Sequence, residues 1–139
     1  ITLSHVLEHV HRPPEVVLSI ARLLKPGGVL YVDTPNIESH GATLWGSNWR
    51  GLETPRHLVL FNLDALIGLL ETSGFNNISV KRRTTVRKFL HLSSLRMQRG
   101  GSPYDPKPAK LPMMMRIRLK FASVPVEHDE FLTLLASRK

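Results

Sequence analysis

The sequence predicts an α/β protein built around a parallel sheet. Two short apolar segments, residues 1–6 and 29–33, show no polar alternation, which is typical of strands buried on both faces. Between them, apolar residues recur on one face of a helix that opens at Pro13 and stops at Gly27. A strand, a helix and a strand at this spacing indicate a parallel β-α-β unit.

A long loop over residues 37–60 follows this unit. Because the loop carries both tryptophans of the chain, Trp45 and Trp49, we expect it to be ordered. Asn62 is a good helix N-cap and Gly74 a good C-cap, so the next helix is predicted between them. Residues 77–86 alternate loosely and are predicted to form the third strand.

The basic C-terminal part predicts three further elements. Residues 87–98 fit a short helix with four apolar side chains turned inward, namely Phe89, Leu90, Leu92 and Leu95. Glycines and prolines indicate a linker or loop over residues 99–112. Residues 111–123 fit either a helix or a strand, and we favour the helix. Residues 131–137 are predicted to form the last strand.

Length and composition limit the classes of protein that fit. The chain has 139 residues, enough for one domain with its own core, and contains no cysteine, which excludes disulfides, thiol catalysis and Cys-ligated zinc. It has no apolar run of about 18 residues and no signal-peptide pattern, so we expect a cytoplasmic protein without a transmembrane segment. It begins at Ile1 with no initiator Met, so it is expected to be part of a longer protein.

The formal charge of +8 is unevenly distributed. Residues 1–80 carry a net charge of −2, whereas residues 81–139 carry +10. Such a basic half would suit an anionic partner such as nucleic acid. A solvated basic surface is favoured instead, because no aromatic residues are interleaved with the charges as a single-strand binder would need.

Five short motifs follow one another in a specific order. They are Ser4-His5-Val6-Leu7-Glu8-His9-Val10, Leu23-Leu24-Lys25-Pro26-Gly27-Gly28, Thr34-Pro35-Asn36, Pro55-Arg56-His57-Leu58 and Gly74-Phe75. In this order and spacing they resemble the C-terminal half of a class I S-adenosylmethionine-dependent methyltransferase. The resemblance covers residues 1–86 and then the last strand.

This resemblance implies a partial Rossmann-like sheet of about four strands. In the family numbering their order is 4-5-7-6, with the last strand antiparallel. We expect a single, truncated domain over residues 1–139, with a core over 1–86, a variable insertion over 87–127 and a terminal strand over 128–139. The implied cofactor is S-adenosylmethionine, and the implied partner is a small-molecule acceptor.

The chain departs from the family where the cofactor is usually held. It contains neither the glycine-rich loop after the family's first strand nor the acidic residue after its second, and Gly27-Gly28 follows a helix instead of a strand. The first predicted strand would then be an exposed edge, so we expect self-association through it or a missing N-terminal half. Two alternatives stay open: a truncated remnant without enzymatic activity, and a nucleic-acid-binding or RNA-modifying protein.

Candidate site residues lie at the carboxyl ends of the predicted parallel strands, where ligands bind in such sheets. Ser4 and His5 are predicted to contact the cofactor, and His5 and His57 to act in catalysis, since imidazole can exchange protons near neutral pH. The predicted substrate contacts are Asn36, Trp45, Trp49 and Arg56. Both tryptophans could equally anchor the loop to the core, and Asn36 could equally be a turn residue.

A metal site is considered at the first motif and not adopted. Some relatives, the ubiquinone-biosynthesis O-methyltransferases and small-RNA 2′-O-methyltransferases, carry a Glu-x-x-Glu-His metal motif there. This chain has His5, Glu8 and His9 at those positions. Imidazole and carboxylate suit a divalent metal, but a structural role for Glu8 and His9 is favoured.

Overall fold

Four strands form one mixed sheet in the computed structural model, which describes residues 1–83, 86–105, 110–121 and 124–139. The strands are β1 (Thr2–Ser4), β2 (Val29–Pro35), β3 (Phe75–Lys81) and β4 (Phe131–Arg138). Their order is β1-β2-β4-β3, with β1 and β2 parallel and β4 antiparallel to both β2 and β3. This confirms the predicted α/β class, the 4-5-7-6 order and the antiparallel last strand.

Five α-helices connect or flank these strands within the described part of the chain. They are α1 (Pro13–Leu23), α2 (His40–Trp45), α3 (Leu63–Thr72), α4 (Arg87–Gln98) and α5 (Met113–Phe121). Single 3₁₀ turns lie at Leu7–His9, Gly46–Asn48, Arg50–Leu52 and Val126–His128. The helix favoured over 111–123 is thus present as α5, and the long predicted loop contains α2 and two 3₁₀ turns. Residues 122 and 123 lie outside the described residues.

The ends of α1 and α3 follow from their local sequences. Pro13 occupies the first turn of α1, where its missing N–H is no loss. The Asn62 side chain accepts a hydrogen bond of 2.9 Å from the Ala65 N–H and so caps α3. After α3, Gly74 adopts a φ of 94°, a left-handed conformation that favours glycine.

Two hydrophobic clusters hold the elements together. The larger cluster joins α1 and α3 to the sheet, and its fully buried members are Leu7, Val17, Leu30, Val32, Leu66, Leu70, Phe75, Leu132 and Leu134. The smaller cluster joins α2 and the following turns to α4 and consists of Trp45, Trp49, Leu95 and Leu111, with partly buried neighbours. The second cluster fixes the long segment after β2 in one position, as its two tryptophans led us to expect.

Three sequence predictions about individual elements are wrong in detail. β1 is not buried on both faces: Leu3 is buried, but Thr2 and Ser4 are exposed, because this strand lies at the end of the sheet. β3 spans Phe75–Lys81 and not 77–86, since Phe75 enters the core directly after Gly74. Residues 84 and 85 of the predicted strand lie outside the described residues.

The third correction concerns α4. Leu90 and Leu95 are buried and Leu92 is partly buried, as predicted, but Phe89 is 56% exposed. Phe89 instead contributes to the wall of a cavity. Its apolar ring therefore lines a cavity and not the core. A helical pattern of apolar residues cannot distinguish these two positions.

Candidate functional site

A cavity of about 200 Å³ lies at the edge of the sheet where β1 and β2 end and β4 begins. Its lining comes from five parts of the chain: His5, Pro35, Arg50, Gly51, Glu53, His57, Val86, Phe89, Leu90 and Phe131. The two histidines predicted to be catalytic, His5 and His57, therefore meet in one cavity. The carboxyl ends of parallel strands are where open α/β sheets bind ligands.

His5 is held in the turn after β1 with a φ of 54°. Its N–H donates to the Asp33 carbonyl at 2.9 Å. The ring packs edge-to-face on Phe131, with 4.9 Å between centroids. Nδ1 lies 3.3 Å from Glu8 Oε1 and Nε2 lies 3.6 Å from Asp33 Oδ2, so both ring nitrogens face carboxylates. The side chain is nevertheless 44% exposed and can contact a ligand in the cavity.

The two carboxylates beside His5 are fully buried. Asp33 Oδ1 accepts a hydrogen bond of 2.6 Å from the Thr133 hydroxyl, and its Oδ2 pairs with the Arg83 guanidinium. Glu8 Oε2 accepts a hydrogen bond of 2.9 Å from the Thr34 hydroxyl, whereas Glu8 Oε1 has no hydrogen-bond partner. Burial raises the pKa of Glu8, but the hydrogen bonds from His5 and the Thr34 hydroxyl together lower it by more. The pKa therefore lies below its ordinary value.

His57 lies in the segment between α2 and α3, and its side chain is only 5% exposed. Its Nδ1 lies 2.7 Å from the Gly51 carbonyl. A carbonyl can only accept, so Nδ1 carries the proton and Nε2 keeps its lone pair. A side chain at Gly51 would meet the Trp49 ring at 2.2 Å, so this close approach requires glycine.

Glu53 anchors the segment that carries His57. Its carboxylate accepts hydrogen bonds from Arg50, Tyr104 and Arg56 at 2.6–3.0 Å. Burial raises the pKa of Glu53, but these hydrogen bonds and the arginine charges outweigh burial and lower the pKa to about 2. Arg56 is 65% exposed, and its guanidinium lies at this carboxylate and not in the lining of the cavity.

Three predicted substrate contacts lie in buried, hydrogen-bonded positions outside the cavity lining. Asn36 donates to the carbonyls of Glu127 and Asp129 at 2.8 and 3.0 Å, which fixes the turn before β4. Trp45 Nε1 donates to His91 Nδ1 at 2.8 Å, and Trp49 Nε1 donates to Glu130 Oε2 at 3.1 Å. These contacts are structural, and the substrate roles of these three residues stay predictions.

Ser4 is the last residue of β1 and pairs with Asp33 in the parallel register. Ser4 is exposed, and β1 is the end strand of the sheet among the described strands. Its cofactor role also stays a prediction.

Two groups of His and Glu side chains in the described residues could hold a metal ion. The first, here called the pocket-side cluster, is Glu8, His9 and His57; the second, the core-side cluster, is His40, His91 and Glu130. In each, one donor atom per residue lies within 4.8 Å of the others. The pocket-side cluster includes Glu8 and His9 from the considered metal motif, with His57 in place of His5.

Several residues of the site were missed by sequence reasoning. Asp33 carries a signal that was available, since it is a carboxylate at the carboxyl end of a predicted strand. Arg83 and Thr133 hold Asp33. Arg83 follows the end of β3 and Thr133 lies in β4, and neither carries a local motif. His91 and Glu130 are brought together only by the packing of α4 against the start of β4.

A sheet of this order with a ligand-sized cavity at its strand ends defines a methyltransferase-type α/β fold. The model of the methyltransferase domain family matches residues 1–80, which is more than half of the chain, and the chain belongs to this family. No curated protein matches the chain in sequence. The family match confirms the resemblance that the five motifs predicted.

Solved structures share the fold. The chain is 15% identical, with a TM-score of 0.56, to a Thermotoga maritima S-adenosylmethionine-dependent methyltransferase described as a possible histamine N-methyltransferase. It is 21% identical, with a TM-score of 0.57, to Haemonchus contortus phosphoethanolamine N-methyltransferase 2 in complex with phosphomonomethylethanolamine and S-adenosylhomocysteine. Another structure of the latter enzyme, with S-adenosyl-L-methionine, is 20% identical, also with a TM-score of 0.57.

These similarities cover 99% of this chain but only part of the neighbours. The chain spans 54% of the Thermotoga protein and 32% of the Haemonchus protein. Both structures of the Haemonchus enzyme contain the methyl donor or its product. Among the described residues, no helix is long and apolar enough to cross a bilayer.

Proposed function

We propose that this chain supplies the acceptor side of an S-adenosylmethionine-dependent methyltransferase site. One observation carries the proposal: His5 and His57, from distant parts of the sequence, line a single cavity at the carboxyl ends of β1 and β2. The cavity size suits a small molecule or part of one. Its walls combine apolar groups, such as Phe131 and Leu90, with a few polar ones, which is typical of small-molecule sites.

The two histidines have different roles in this proposal. S-Adenosylmethionine supplies an activated methyl group, which an acceptor atom attacks in line as the carbon–sulfur bond breaks. An acceptor that carries a proton must lose it in this reaction. His57 can take the proton, because its Nε2 keeps a lone pair and the carboxylate of Glu53, 3.5 Å away, would stabilise the charged ring, whereas both ring nitrogens of His5 face buried carboxylates. We therefore assign proton acceptance to His57, and contact with the cofactor or acceptor to His5.

The remaining predicted substrate residues would act through the walls of the cavity. Trp49 packs against Gly51, which lines the cavity, and Arg56 is paired with Glu53, which also lines it. Asn36 and Trp45 lie farther into the protein and would influence the acceptor only through the backbone that they hold. The acceptor and the methylated atom are left open in this proposal.

The test measures transfer of a radiolabelled methyl group from S-adenosylmethionine to a panel of small hydroxyl and amine acceptors, with S-adenosylhomocysteine binding followed by calorimetry. We expect His57→Ala to lower the transfer rate by about 100-fold or more, the range of general base catalysis. His128→Ala is the control, because His128 is exposed and outside the cavity. Equal rates in the wild type and His57→Ala, or neither transfer nor binding by the wild type, would overturn the proposal.

We also propose that the chain is one domain and self-associates, or binds a further part of the same enzyme, through the free edge of β1. The described strands pair with β1 on one side only. The mass in solution tests this, and a strictly monomeric chain would contradict self-association.

Nucleic-acid binding is not proposed, because Arg82, Arg83 and Arg87 of the basic part lie in ion pairs with buried carboxylates. A cytoplasmic location stays a prediction.

A further inference from the structure

We propose that α5 (Met113–Phe121) binds the surface of a membrane that contains anionic lipids. The inference stands on the two faces of this helix and does not depend on methyl transfer. One face attaches the helix to the protein, and the other presents apolar and basic side chains to solvent. At nine residues, or about 14 Å, α5 is too short to cross the roughly 30 Å apolar core of a bilayer. A helix of this kind lies along the lipid–water interface.

The inner face of α5 holds it to the smaller hydrophobic cluster. Met115 and Leu119, four residues apart on the helix, are partly buried and pack against that cluster. Leu111, just before the helix, is buried within it. The position of α5 is therefore fixed by these inner contacts, and substitutions on its outer face remove no buried side chain.

The outer face of α5 carries a continuous apolar patch. Met113 is 72% exposed, Met114 is 64% exposed and Ile117 is 44% exposed. Ile117 follows the two methionines by four and three residues, so the three side chains are neighbours on the helix surface. Methionine is flexible and polarisable, which suits contact with an irregular apolar surface. An adjacent set of exposed apolar side chains, unlike a single one, indicates an interaction surface.

The charge of α5 identifies the partner as anionic. Its nine residues include three basic ones and no acidic one. Within the described part of the chain, no ion pair involves the exposed Arg116, which lies between the patch residues Met114 and Ile117 in sequence. A nucleic acid would neutralise the basic side chains but leave the apolar patch in water. An anionic lipid surface satisfies both, since its headgroups attract cations and its acyl region accepts apolar side chains.

Comparison with α1 shows that exposed apolar residues alone do not define such a face. α1 exposes Leu18 by 42% and Leu23 by 77%. They are five residues apart, so they lie about 140° apart around the helix and form no common patch. α1 also carries one acidic and one basic residue, Glu15 and Arg22, and has no net charge. This helix therefore supplies the matched control positions for α5.

Co-sedimentation of the whole chain with lipid vesicles, without S-adenosylmethionine, tests the proposal. Vesicles of phosphatidylcholine with about one third phosphatidylserine are compared with vesicles of phosphatidylcholine alone. We expect binding to the anionic vesicles that weakens as NaCl is raised, and much weaker binding to the neutral ones. The double variant Met113→Gln, Met114→Gln should bind anionic vesicles about tenfold or more weakly, and Arg116→Gln about fivefold more weakly.

The control variants carry the same changes on α1. The double variant Leu18→Gln, Leu23→Gln and the single variant Arg22→Gln should bind anionic vesicles as the wild type does. Circular dichroism confirms the fold of every variant. Failure of the wild type to bind anionic vesicles at low salt, or equal binding by the wild type and the double methionine variant, would overturn the proposal. Since no methyl donor is present, this failure is distinct from failure of the proposed reaction.

A second readout reports the position of α5 directly. Because the chain contains no cysteine, a single introduced thiol can carry an environment-sensitive fluorophore. The emission of labelled Met114→Cys should shift to shorter wavelength on anionic vesicles, whereas that of labelled Leu23→Cys should stay unchanged. Equal shifts at both positions would contradict docking through α5.

Two further measurements identify other occupants of the outer face. The mass in solution without vesicles would reveal a dimer that is lost in the double methionine variant, which would assign the patch to a second copy of the chain. Binding of polyuridylate RNA that requires Arg116 but not the two methionines would assign the basic residues to nucleic acid. Either result would overturn the membrane proposal.

Discussion

The pocket-side and core-side clusters contain the same side chains, two histidines and one glutamate, yet their hydrogen bonds differ. In the pocket-side cluster, both rings contact backbone carbonyls through Nδ1. In the core-side cluster, His91 Nδ1 accepts a hydrogen bond from the Trp45 indole instead. An indole N–H only donates, so neutral His91 must carry its proton on Nε2.

This difference determines what each cluster can do. The proton on His91 Nε2 points toward Glu130 Oε1 at 3.3 Å, so this nitrogen has no lone pair for a cation. Glu130 also accepts from the Trp49 indole and from the Gly41 N–H, at 3.1 and 2.9 Å. The core-side cluster is therefore an internal network that stabilises the fold. The comparison shows that the partner of Nδ1, and not the residue types, decides which ring nitrogen keeps a lone pair.

Removing the carboxylate of the core-side cluster should have the largest effect on stability. Glu130→Ala would leave the Trp49 indole and the Gly41 N–H without their common acceptor in a buried region, and His91 Nε2 without the carboxylate that lies 3.3 Å away. We expect a loss of about 3–5 kcal/mol in the free energy of unfolding, the usual result of removing one member of a buried polar network. Urea denaturation measures this loss.

His128→Gln serves as the control for this measurement, because an exposed substitution should change the free energy of unfolding by no more than about 0.5 kcal/mol. A loss below about 1 kcal/mol in Glu130→Ala would show that the core-side cluster does not hold the fold. The structural role assigned to the core-side cluster would then be wrong.

Local pattern was sufficient to predict most of the fold. The apolar segments at β1 and β2, the Pro13 start of α1 and the Asn62 cap of α3 are all local signals, and the structure confirms these elements. The strand order came from the resemblance and not from any pattern, because pairing of β2 with β4 joins residues about a hundred positions apart. Phe89 shows what helical periodicity cannot predict. The pattern identifies an apolar face of the helix but not whether other parts of the protein bury it.

The site was less predictable than the fold. His5 and His57 were chosen individually, and the structure places them on one cavity, but their different hydrogen bonds could not be read from residue types. The tautomer of His57 depends on the Gly51 carbonyl, which the backbone directs at the ring. Trp45 and Trp49 illustrate the same difficulty, since aromatic residues in a long loop suggested a substrate pocket equally with a core. Their indoles donate to His91 and Glu130, which are distant in sequence.

Lowering the pH should remove the stability that the charged carboxylate of Glu53, in the cavity wall, contributes to the fold. The pKa of Glu53 is lowered from 4.5 to about 2, so its charged form stabilises the fold fully above about pH 4.5. This stability is lost as the pH falls from 4.5 toward 2. Because Glu53 is 17% exposed, solvent screening reduces the effect, and we expect Glu53→Gln to cost about 1–2 kcal/mol at pH 6.

Urea denaturation at several pH values measures this effect. The difference between the wild type and Glu53→Gln should shrink steadily below pH 4.5. Glu71→Gln is the control, because Glu71 is exposed on α3. A difference that stays constant from pH 6 to pH 2.5 would show that the arginine pairs do not stabilise the charged carboxylate.

A substitution that alters a histidine tautomer should change stability by no more than Glu53→Gln does. Trp45→Phe removes the indole donor to His91, at a cost of about 1–2 kcal/mol for a lost buried hydrogen bond and a smaller ring. His91 is then free to carry its proton on Nδ1. Nitrogen-15 NMR of the histidine rings measures this, and in the wild type it should show His91 protonated on Nε2 and His9 and His57 protonated on Nδ1.

Trp49→Phe is the matched control, because its indole donates to Glu130 and not to a histidine. The His91 tautomer should stay on Nε2 in that variant. If Trp45→Phe shifts His91 to the Nδ1 form, His91 Nε2 gains a lone pair that faces Glu130 in place of a proton. A wild-type His91 already protonated on Nδ1 would contradict the distinction between the two clusters, since both would then present free Nε2 lone pairs.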